Sequence, residues 1–187
     1  MKAIAFVGAH SSGKSSLINA YVGTHSSLRI HLITGITRAI IDRGFPLEKN
    51  STVDSYSNYV RDQLRAERSI RDRDTSLLLS DRTVLDAASY AKVNSELPRP
   101  SVPDYFVEAL LEIALVEASR FDMFVYCPVE FPMAPDLYRP LDEPYREKVS
   151  LQLKAFLEEY SLPHVIVSGD IPSRLAIVEQ AIGGLDG

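Results

Sequence analysis

The chain has 187 residues, 45% of them hydrophobic and 24% charged, with a formal net charge of −5. These values predict one globular domain over residues 1–187 and argue against broad, nonspecific binding to nucleic acid or membranes. A single cysteine, Cys127, excludes an internal disulfide and favours a reducing compartment. We expect Cys127 to be a small residue of the hydrophobic core. No leader segment precedes the first predicted strand, and no apolar run is long enough to span a bilayer, so we expect a cytoplasmic protein.

The chain begins with a predicted strand, a glycine loop and a helix. Residues 2–7 are apolar, and residues 16–22 have helical spacing. Between them, G-A-H-S-S-G-K-S at residues 8–15 matches the phosphate-binding loop pattern G-x-x-x-x-G-K-S. A chance match on a surface loop would lack this strand and helix. The predicted nucleotide-binding residues are Gly8, Ala9, His10, Ser11, Ser12, Gly13, Lys14, Ser15 and Ser16.

This loop predicts ATP and Mg²⁺ as ligands. Backbone N–H groups and the helix N-terminus would face the phosphates, and Lys14 would reach the β- and γ-phosphates. The Ser15 hydroxyl would bind Mg²⁺. Asp81 ends a short apolar strand at residues 75–80, where a carboxylate would hold the same ion. We expect His10 to contribute only its backbone.

Strands and helices alternate in the rest of the chain. Further strands are predicted at residues 28–33, 121–126 and 164–167. Helices are predicted at residues 38–43, from a cap at Ser51 or Asp54 to about residue 72, and at 84–93, 104–120, 144–160 and 174–182, with a tail from Gly183. In helix 104–120 the predicted core face is Phe106, Leu110, Ile113, Ala114 and Val116. The alternation predicts an α/β three-layer sandwich with a parallel sheet of about five strands and helices on both faces.

Two further segments, an arginine row at residues 61–68 and the proline-rich residues 128–144, could be functional. Arg61, Arg65 and Arg68 share one helix face and could meet phosphates, although a solvated, salt-bridged face is favoured. Residues 128–144 contain five prolines and no helical or strand period. A loop of this length in a compact domain is usually functional, so we expect a lid.

Three further segments carry a family resemblance. Residues 63–67 read Q-L-R-A-E, residues 81–90 read D-R-x-x-x-D-x-x-x-Y, and residues 136–142 read D-x-x-R-x-x-D. With the glycine loop, they make the chain resemble the small P-loop nucleoside- and nucleotide-kinase-like ATPases. The resemblance is strongest to the group that contains the ribosylnicotinamide kinase domain of a bifunctional NAD regulator.

The resemblance implies a kinase that transfers the γ-phosphate of ATP to a small acceptor, most simply a nucleoside or nucleotide. Lys14, Asp81 and Arg139 would be catalytic, with Arg139 carried by a lid over about residues 128–147. Arg38, Arg82 and Asp86 would bind the acceptor. Such relatives often carry a glutamate before the helix of Arg38, but residues 34–37 read T-G-I-T. Asp81, and after it Asp86, are the remaining candidates for the base.

Other functions compete with the small-molecule kinase. One is an ATP-hydrolysing regulatory module that binds a partner. Another is a kinase acting on a modified base or end in a nucleic acid, which would use the arginine row. A GTPase is disfavoured because the sequence has neither an N-K-x-D motif nor a D-x-x-G sequence after Asp81. We expect no membrane partner.

Overall fold

The computed structural model describes residues 1–69, 75–133 and 142–185. Its five strands are β1 (Lys2–Val7), β2 (Ile30–Ile33), β3 (Leu77–Asp81), β4 (Met123–Tyr126) and β5 (His164–Ile166). They form one sheet in the order β2-β3-β1-β4-β5, and every pairing is parallel. The predicted α/β fold with a parallel sheet is therefore confirmed.

Seven α-helices and one 3₁₀ turn connect these strands in the described ranges. The helices are α1 (Lys14–Thr24), α2 (Ile36–Asp42), α3 (Val53–Arg68), α4 (Val84–Ser95), α5 (Asp104–Ala118), α6 (Glu143–Glu159) and α7 (Ile171–Gly184). The 3₁₀ turn, Glu48–Asn50, lies between α2 and α3. None of the helices in these ranges is long and apolar enough to cross a membrane.

The sheet is buried on both faces, which explains why its strands are apolar without alternation. Along β1, Ala3, Ala5 and Val7 face a core shared with α2–α6. Ile4 and Phe6 point the other way, into a second core shared with α1 and α7. The three-layer sandwich follows from this arrangement.

Side-chain caps fix where several helices begin. The Thr83 hydroxyl accepts a hydrogen bond from Leu85 N, and the Asp86 carboxylate accepts one from Thr83 N, forming a capping box at α4. Asp142 caps α6 and Asp170 caps α7. The cap of α3 is Thr52, so the predicted caps at Ser51 and Asp54 were wrong.

Two helices differ from their prediction in a way that packing explains. In α5, Ile113 and Val116 are 42% and 69% exposed, so placing them in the core was wrong. The buried stripe instead follows Val107, Leu110, Ala114 and Ala118, at spacings of three and four residues. Helix α7 starts before residue 174 because Asp170 caps it, and at its other end it continues through Gly183 and Gly184. The predicted tail from Gly183 was therefore wrong.

The strand register brings the candidate residues to one edge of the sheet. Phe6 of β1 pairs with Asp81 of β3, and Val7 pairs with Tyr126 of β4. Because all strands are parallel, the segments after β1, β3 and β4 leave the sheet at the same edge. This is the edge where open α/β sheets bind ligands.

Candidate functional site

The glycine loop between β1 and α1 has the backbone geometry of an anion-binding cradle. Ser11 and Gly13 have φ values of 56° and 87°, in the left-handed region. Gly8 has a φ of 150°, and a Cβ at Gly8 would lie 2.4 Å from the Cys127 carbonyl oxygen. Glycine is therefore required at position 8 both by its backbone conformation and by its close approach to the segment after β4.

Lys14 lies inside this loop rather than in solvent. Its Nζ donates hydrogen bonds to the carbonyl oxygens of Gly8 and Ala9, at 2.8 and 2.6 Å, and to Ser12 Oγ at 3.1 Å. Burial, and secondarily the nearby Arg82 guanidinium, lowers the pKa of Lys14 to about 7. The Lys14 ammonium group is thus held at the centre of the loop, where burial disfavours its charge and an anionic ligand would stabilise that charge.

Ser15 and Asp81 meet beside the loop. Ser15 Oγ donates a hydrogen bond to Asp81 Oδ2 at 2.7 Å. A hydroxyl and a carboxylate are the hard oxygen ligands that Mg²⁺ accepts beside a phosphate, so the pair fits this ion. Within the described ranges no cluster of three or more His, Cys, Asp or Glu side chains forms a metal site, and P-loop magnesium sites do not need one.

Arg82 and Asp86 connect β3 to the loop. Asp86 accepts hydrogen bonds from Gly8 N at 3.2 Å and from Thr83 N at 2.9 Å, and burial raises its pKa. Arg82 has a φ of 82°, donates to the Gly8 carbonyl at 3.3 Å and lies 3.5 Å from Asp86. Because both Asp86 oxygens contact neighbouring groups, its side chain is placed to position the loop.

His10 makes side-chain contacts that the sequence did not predict. Its Nδ1 lies 3.0 Å from the Tyr90 hydroxyl and 3.5 Å from a Glu48 carboxylate oxygen, and its ring is almost fully buried. The Tyr90 hydroxyl also lies 3.0 Å from His10 N. The ring of His10 therefore joins the loop to α4 and the 3₁₀ turn, while its part in nucleotide binding remains a prediction.

A narrow, mostly apolar pocket lies next to this contact. Its walls include Glu48, Tyr56, Tyr59, Tyr90 and Arg82, and it encloses about 50 Å³. This volume is far below the roughly 300 Å³ of small-molecule sites, so an aromatic ligand would have to move the walls apart. Aromatic walls with three charged groups, Glu48, Arg82 and Asp86, suit a flat ring that carries polar substituents.

A larger cleft of about 660 Å³ lies over the loop itself. It brings together loop residues 11–16, the turn at residues 34–38, and Asp81, Arg82, Phe131 and Pro132. Arg38 and Arg82 thus face the same cleft as the loop, while Asp86 lines the narrower pocket. Arg139 and the rest of residues 134–141 of the predicted lid lie outside the described residues. The predicted roles of all these residues remain predictions.

The arginine row on α3 is engaged with acidic side chains. Arg61 Nε lies 2.9 Å from Asp62, and Arg68 forms an ion pair with Glu117 of α5. Arg65 is exposed on the same face. The salt-bridged interpretation is confirmed for Arg61 and Arg68. The structural position of Cys127, fully buried behind Gly8, likewise confirms its core assignment.

The sequence analysis missed three residues of the site. Glu48 lies in a polar stretch with no motif, and Phe131 lies in the proline-rich loop. Arg174 is fully buried and donates from Nη1 to the Ser12 carbonyl at 2.8 Å, although its helix reads as a surface helix in the sequence. Only the tertiary fold brings these three side chains to the glycine loop.

Comparison with known proteins agrees with this architecture. The family described as AAA domain matches residues 3–174, whereas no curated protein matches the sequence. A structure of NadR protein in complex with NR has a TM-score of 0.74 at 17% identity, covering 98% of this chain. This chain spans 51%, about half, of the NadR chain.

Two further solved structures are similar over nearly their whole length. Deoxyadenosine kinase from M. mycoides, with the products dCMP and dCDP, has a TM-score of 0.71 at 15% identity, covering 97% of this chain and 99% of that one. Thymidylate kinase from Candida albicans has a TM-score of 0.69 at 14% identity, covering 99% and 92%. At these identities the likeness establishes the fold alone. The chain therefore belongs to the AAA domain family, and its fold is that of the P-loop nucleoside and nucleotide kinases.

Proposed function

We propose that this protein is a kinase that transfers the γ-phosphoryl group of ATP to a small acceptor, a nucleoside or a nucleotide. The observation that carries the proposal is the contact between Ser15 and Asp81, at 2.7 Å, beside a loop that encloses Lys14. Phosphoryl transfer is catalysed chiefly by positioning and charge stabilisation, and these three residues supply both. The fold shared with nucleoside and nucleotide kinases supports the same conclusion.

The donor phosphates would bind in the loop. The N–H groups of residues 8–15 would contact the β- and γ-phosphates, and Lys14 would exchange its contacts with the Gly8 and Ala9 carbonyls for phosphate oxygens. Ser15 and Asp81 would hold Mg²⁺, which when bound neutralises charge on the phosphate oxygens. Arg82, which faces both the cleft and the narrow pocket, would contact the transferred group.

The acceptor would occupy the tyrosine-walled pocket. The turn at residues 34–37 has no carboxylate, but Glu48 brings one to the pocket wall from the 3₁₀ turn. We assign Glu48 as the group that accepts the proton of the acceptor hydroxyl. The acceptor oxygen then bonds to the γ-phosphorus, the bond from that phosphorus to the bridging oxygen breaks, and ADP leaves. Glu48 replaces Asp81 and Asp86 as our candidate base, because Asp81 is assigned to Mg²⁺ and both Asp86 oxygens accept backbone hydrogen bonds. The Glu48 carboxylate lies at the pocket wall, 3.5 Å from His10 Nδ1.

ADP formation from Mg·ATP is the test, measured alone and with nucleosides, nucleotides, ribosylnicotinamide and single-stranded DNA. We expect one small acceptor to stimulate turnover strongly, and the Lys14→Ala variant to lose this stimulation. An Arg139→Ala variant tests the lid arginine in the same assay, and unchanged acceptor phosphorylation would remove Arg139 from the mechanism.

A regulatory ATPase is the second candidate, and the small volume of the acceptor pocket favours it. It predicts slow turnover that no small acceptor changes and that a macromolecule stimulates. Stimulation by DNA that weakens steeply with salt would instead support a kinase acting on nucleic acid. The ion pairs of Arg61 and Arg68 argue against that last outcome.

A further inference from the structure

Two fully buried arginines contact Phe131, one at its backbone and the other at its ring. Arg146 of α6 donates from Nη2 to the Phe131 carbonyl at 2.5 Å, and the Arg174 guanidinium lies 4.8 Å from the centre of the Phe131 ring. Both arginines are 0% exposed, whereas Phe131 is 40% exposed. Together, the Arg146 contact to the backbone and the Arg174 contact to one ring face give the half-exposed Phe131 side chain a defined position.

Arg174 also fixes the ring relative to the glycine loop. Its Nη1 donates to the Ser12 carbonyl at 2.8 Å, its Nη2 contacts Glu130 at 2.8 Å, and its Nε donates to the Gly169 carbonyl at 3.0 Å. Glu130 in turn accepts a hydrogen bond from Gly169 N. One face of the Phe131 ring therefore lies on a cation anchored to the loop, and the residue borders the 660 Å³ cleft.

The sheet order places this ring on the side of the loop away from the acceptor pocket. The pocket is built from α2, α3, α4 and the 3₁₀ turn, beside β3, whereas Phe131 and Arg174 follow β4 and β5. In-line transfer needs the attacking and leaving oxygens on opposite sides of the transferred phosphorus. A donor whose phosphates lie in the loop must therefore extend its nucleoside toward the β4/β5 side.

We propose that Phe131, supported by Arg174, is the stacking platform for the purine base of the donor nucleotide. The inference rests on the proposed function, because it requires a nucleoside triphosphate in the cleft. The base would cover the ring face opposite the guanidinium, which polarises the ring from behind. Stacking of this kind is tolerant of base identity, so Phe131 provides affinity for a base rather than a choice between adenine and guanine.

Inorganic tripolyphosphate carries the phosphates of ATP without the base, so comparing the two ligands isolates the contribution of the nucleoside to binding. The sequence contains no tryptophan, so a Phe131→Trp variant carries a single tryptophan, at the platform, that can be excited selectively over the tyrosines. We expect Mg·ATP to quench this fluorescence and Mg·tripolyphosphate to leave it unchanged. By calorimetry, Phe131→Ala should weaken ATP binding about tenfold and leave tripolyphosphate binding within twofold.

Matched variants distinguish stacking from a change in folding. Phe131→Tyr keeps an aromatic face and should bind ATP as the wild type does, whereas Phe131→Leu should behave like Phe131→Ala. Tyr105→Ala removes another exposed aromatic side chain, 73% exposed on α5, and should change the affinity for neither ATP nor tripolyphosphate. Equal melting temperatures for the four Phe131 variants would show that each is folded.

The outcomes separate the two proposals. If the wild type binds neither ATP nor tripolyphosphate, the proposed function fails and the platform with it. If the wild type binds both, but Phe131→Ala weakens them equally or weakens neither, the kinase proposal stands and the platform is wrong. Selective loss of ATP binding, restored by tyrosine, supports the platform.

Discussion

The two sides of the glycine loop are built with different degrees of constraint. On the β4/β5 side, the fully buried Arg174 bonds to Ser12, Gly169 and Glu130. On the β2/β3 side, the acceptor pocket is walled by a three-residue 3₁₀ turn that begins at Glu48, a non-glycine residue with a φ of 59°. The difference suits the proposed chemistry. ATP is the only donor in the proposal, so its site can be rigid, whereas the acceptor pocket must widen before an acceptor can enter it.

The largest effect is expected where the two sides meet, at Asp81. Asp81→Asn should lower turnover about 100- to 1,000-fold, because it weakens the charge stabilisation at the transferred phosphoryl group. Steady-state kcat with saturating Mg²⁺ measures this. Asp54→Asn, which changes an exposed acid on α3, is the control and should retain full activity. Full activity in Asp81→Asn would remove the metal site from the proposal.

A change at Glu48 sharpens the comparison by testing only the acceptor side. Glu48→Gln should lower kcat with the acceptor on the order of 100-fold, the usual contribution of a general base. The affinity for ATP should stay within twofold, measured by calorimetry. Glu96→Gln, at an exposed acid paired with Lys92, is the control. If Glu48→Gln weakened ATP binding as much as turnover, the two sides would not be separable.

The pH dependence of ATP binding tests the donor side. The pKa of Lys14 is lowered to about 7 by burial, so above pH 7 the free protein must take up a proton to present an ammonium to the phosphates. Affinity for ATP should therefore fall with rising pH, by up to about tenfold per pH unit, and level off below pH 7. Lys14→Arg keeps its charge and should flatten the profile between pH 7 and 9, measured by calorimetry.

The pH dependence of stability in the absence of nucleotide has the opposite sign. Because the folded pKa of Lys14 lies below its unfolded value of 10.5, the unfolded chain binds more protons between about pH 7 and 10.5. The contribution of Lys14 to stability therefore improves as pH rises through this window. In the binding experiment, an ATP affinity that did not change between pH 7 and 9 would contradict the lowered pKa of Lys14.

Local sequence patterns predicted the sheet and the centre of the site. The apolar strand before Gly8 and the acidic strand end at Asp81 were correctly placed because each is defined within a few residues. The apolar face of α5 was misassigned because Ile113 and Val116 are as apolar as their buried neighbours, and only packing against α4 decides which stripe is covered.

The periphery of the site has no local signature. Glu48 reaches the pocket because Asn94 of α4 donates to its carbonyl at 2.6 Å, a contact across 46 residues of sequence. Arg174 and Ser12 are 162 residues apart, and a buried arginine looks like a surface arginine in a helical pattern. Sequence alone therefore identifies the glycine loop but not the side chains that surround it in the fold.

The smallest effect is expected at the connection between the acceptor side and α6. Lys49, in the 3₁₀ turn beside Glu48, pairs with Asp142, which caps α6. Lys49→Ala should raise the acceptor KM about two- to fivefold, because a partly exposed ion pair contributes little. Lys92→Ala removes a comparable pair on α4, with Glu96, and should leave KM unchanged. A rise in the ATP KM instead would mean that the 3₁₀ turn supports the donor side, and the contrast between the two sides would no longer hold.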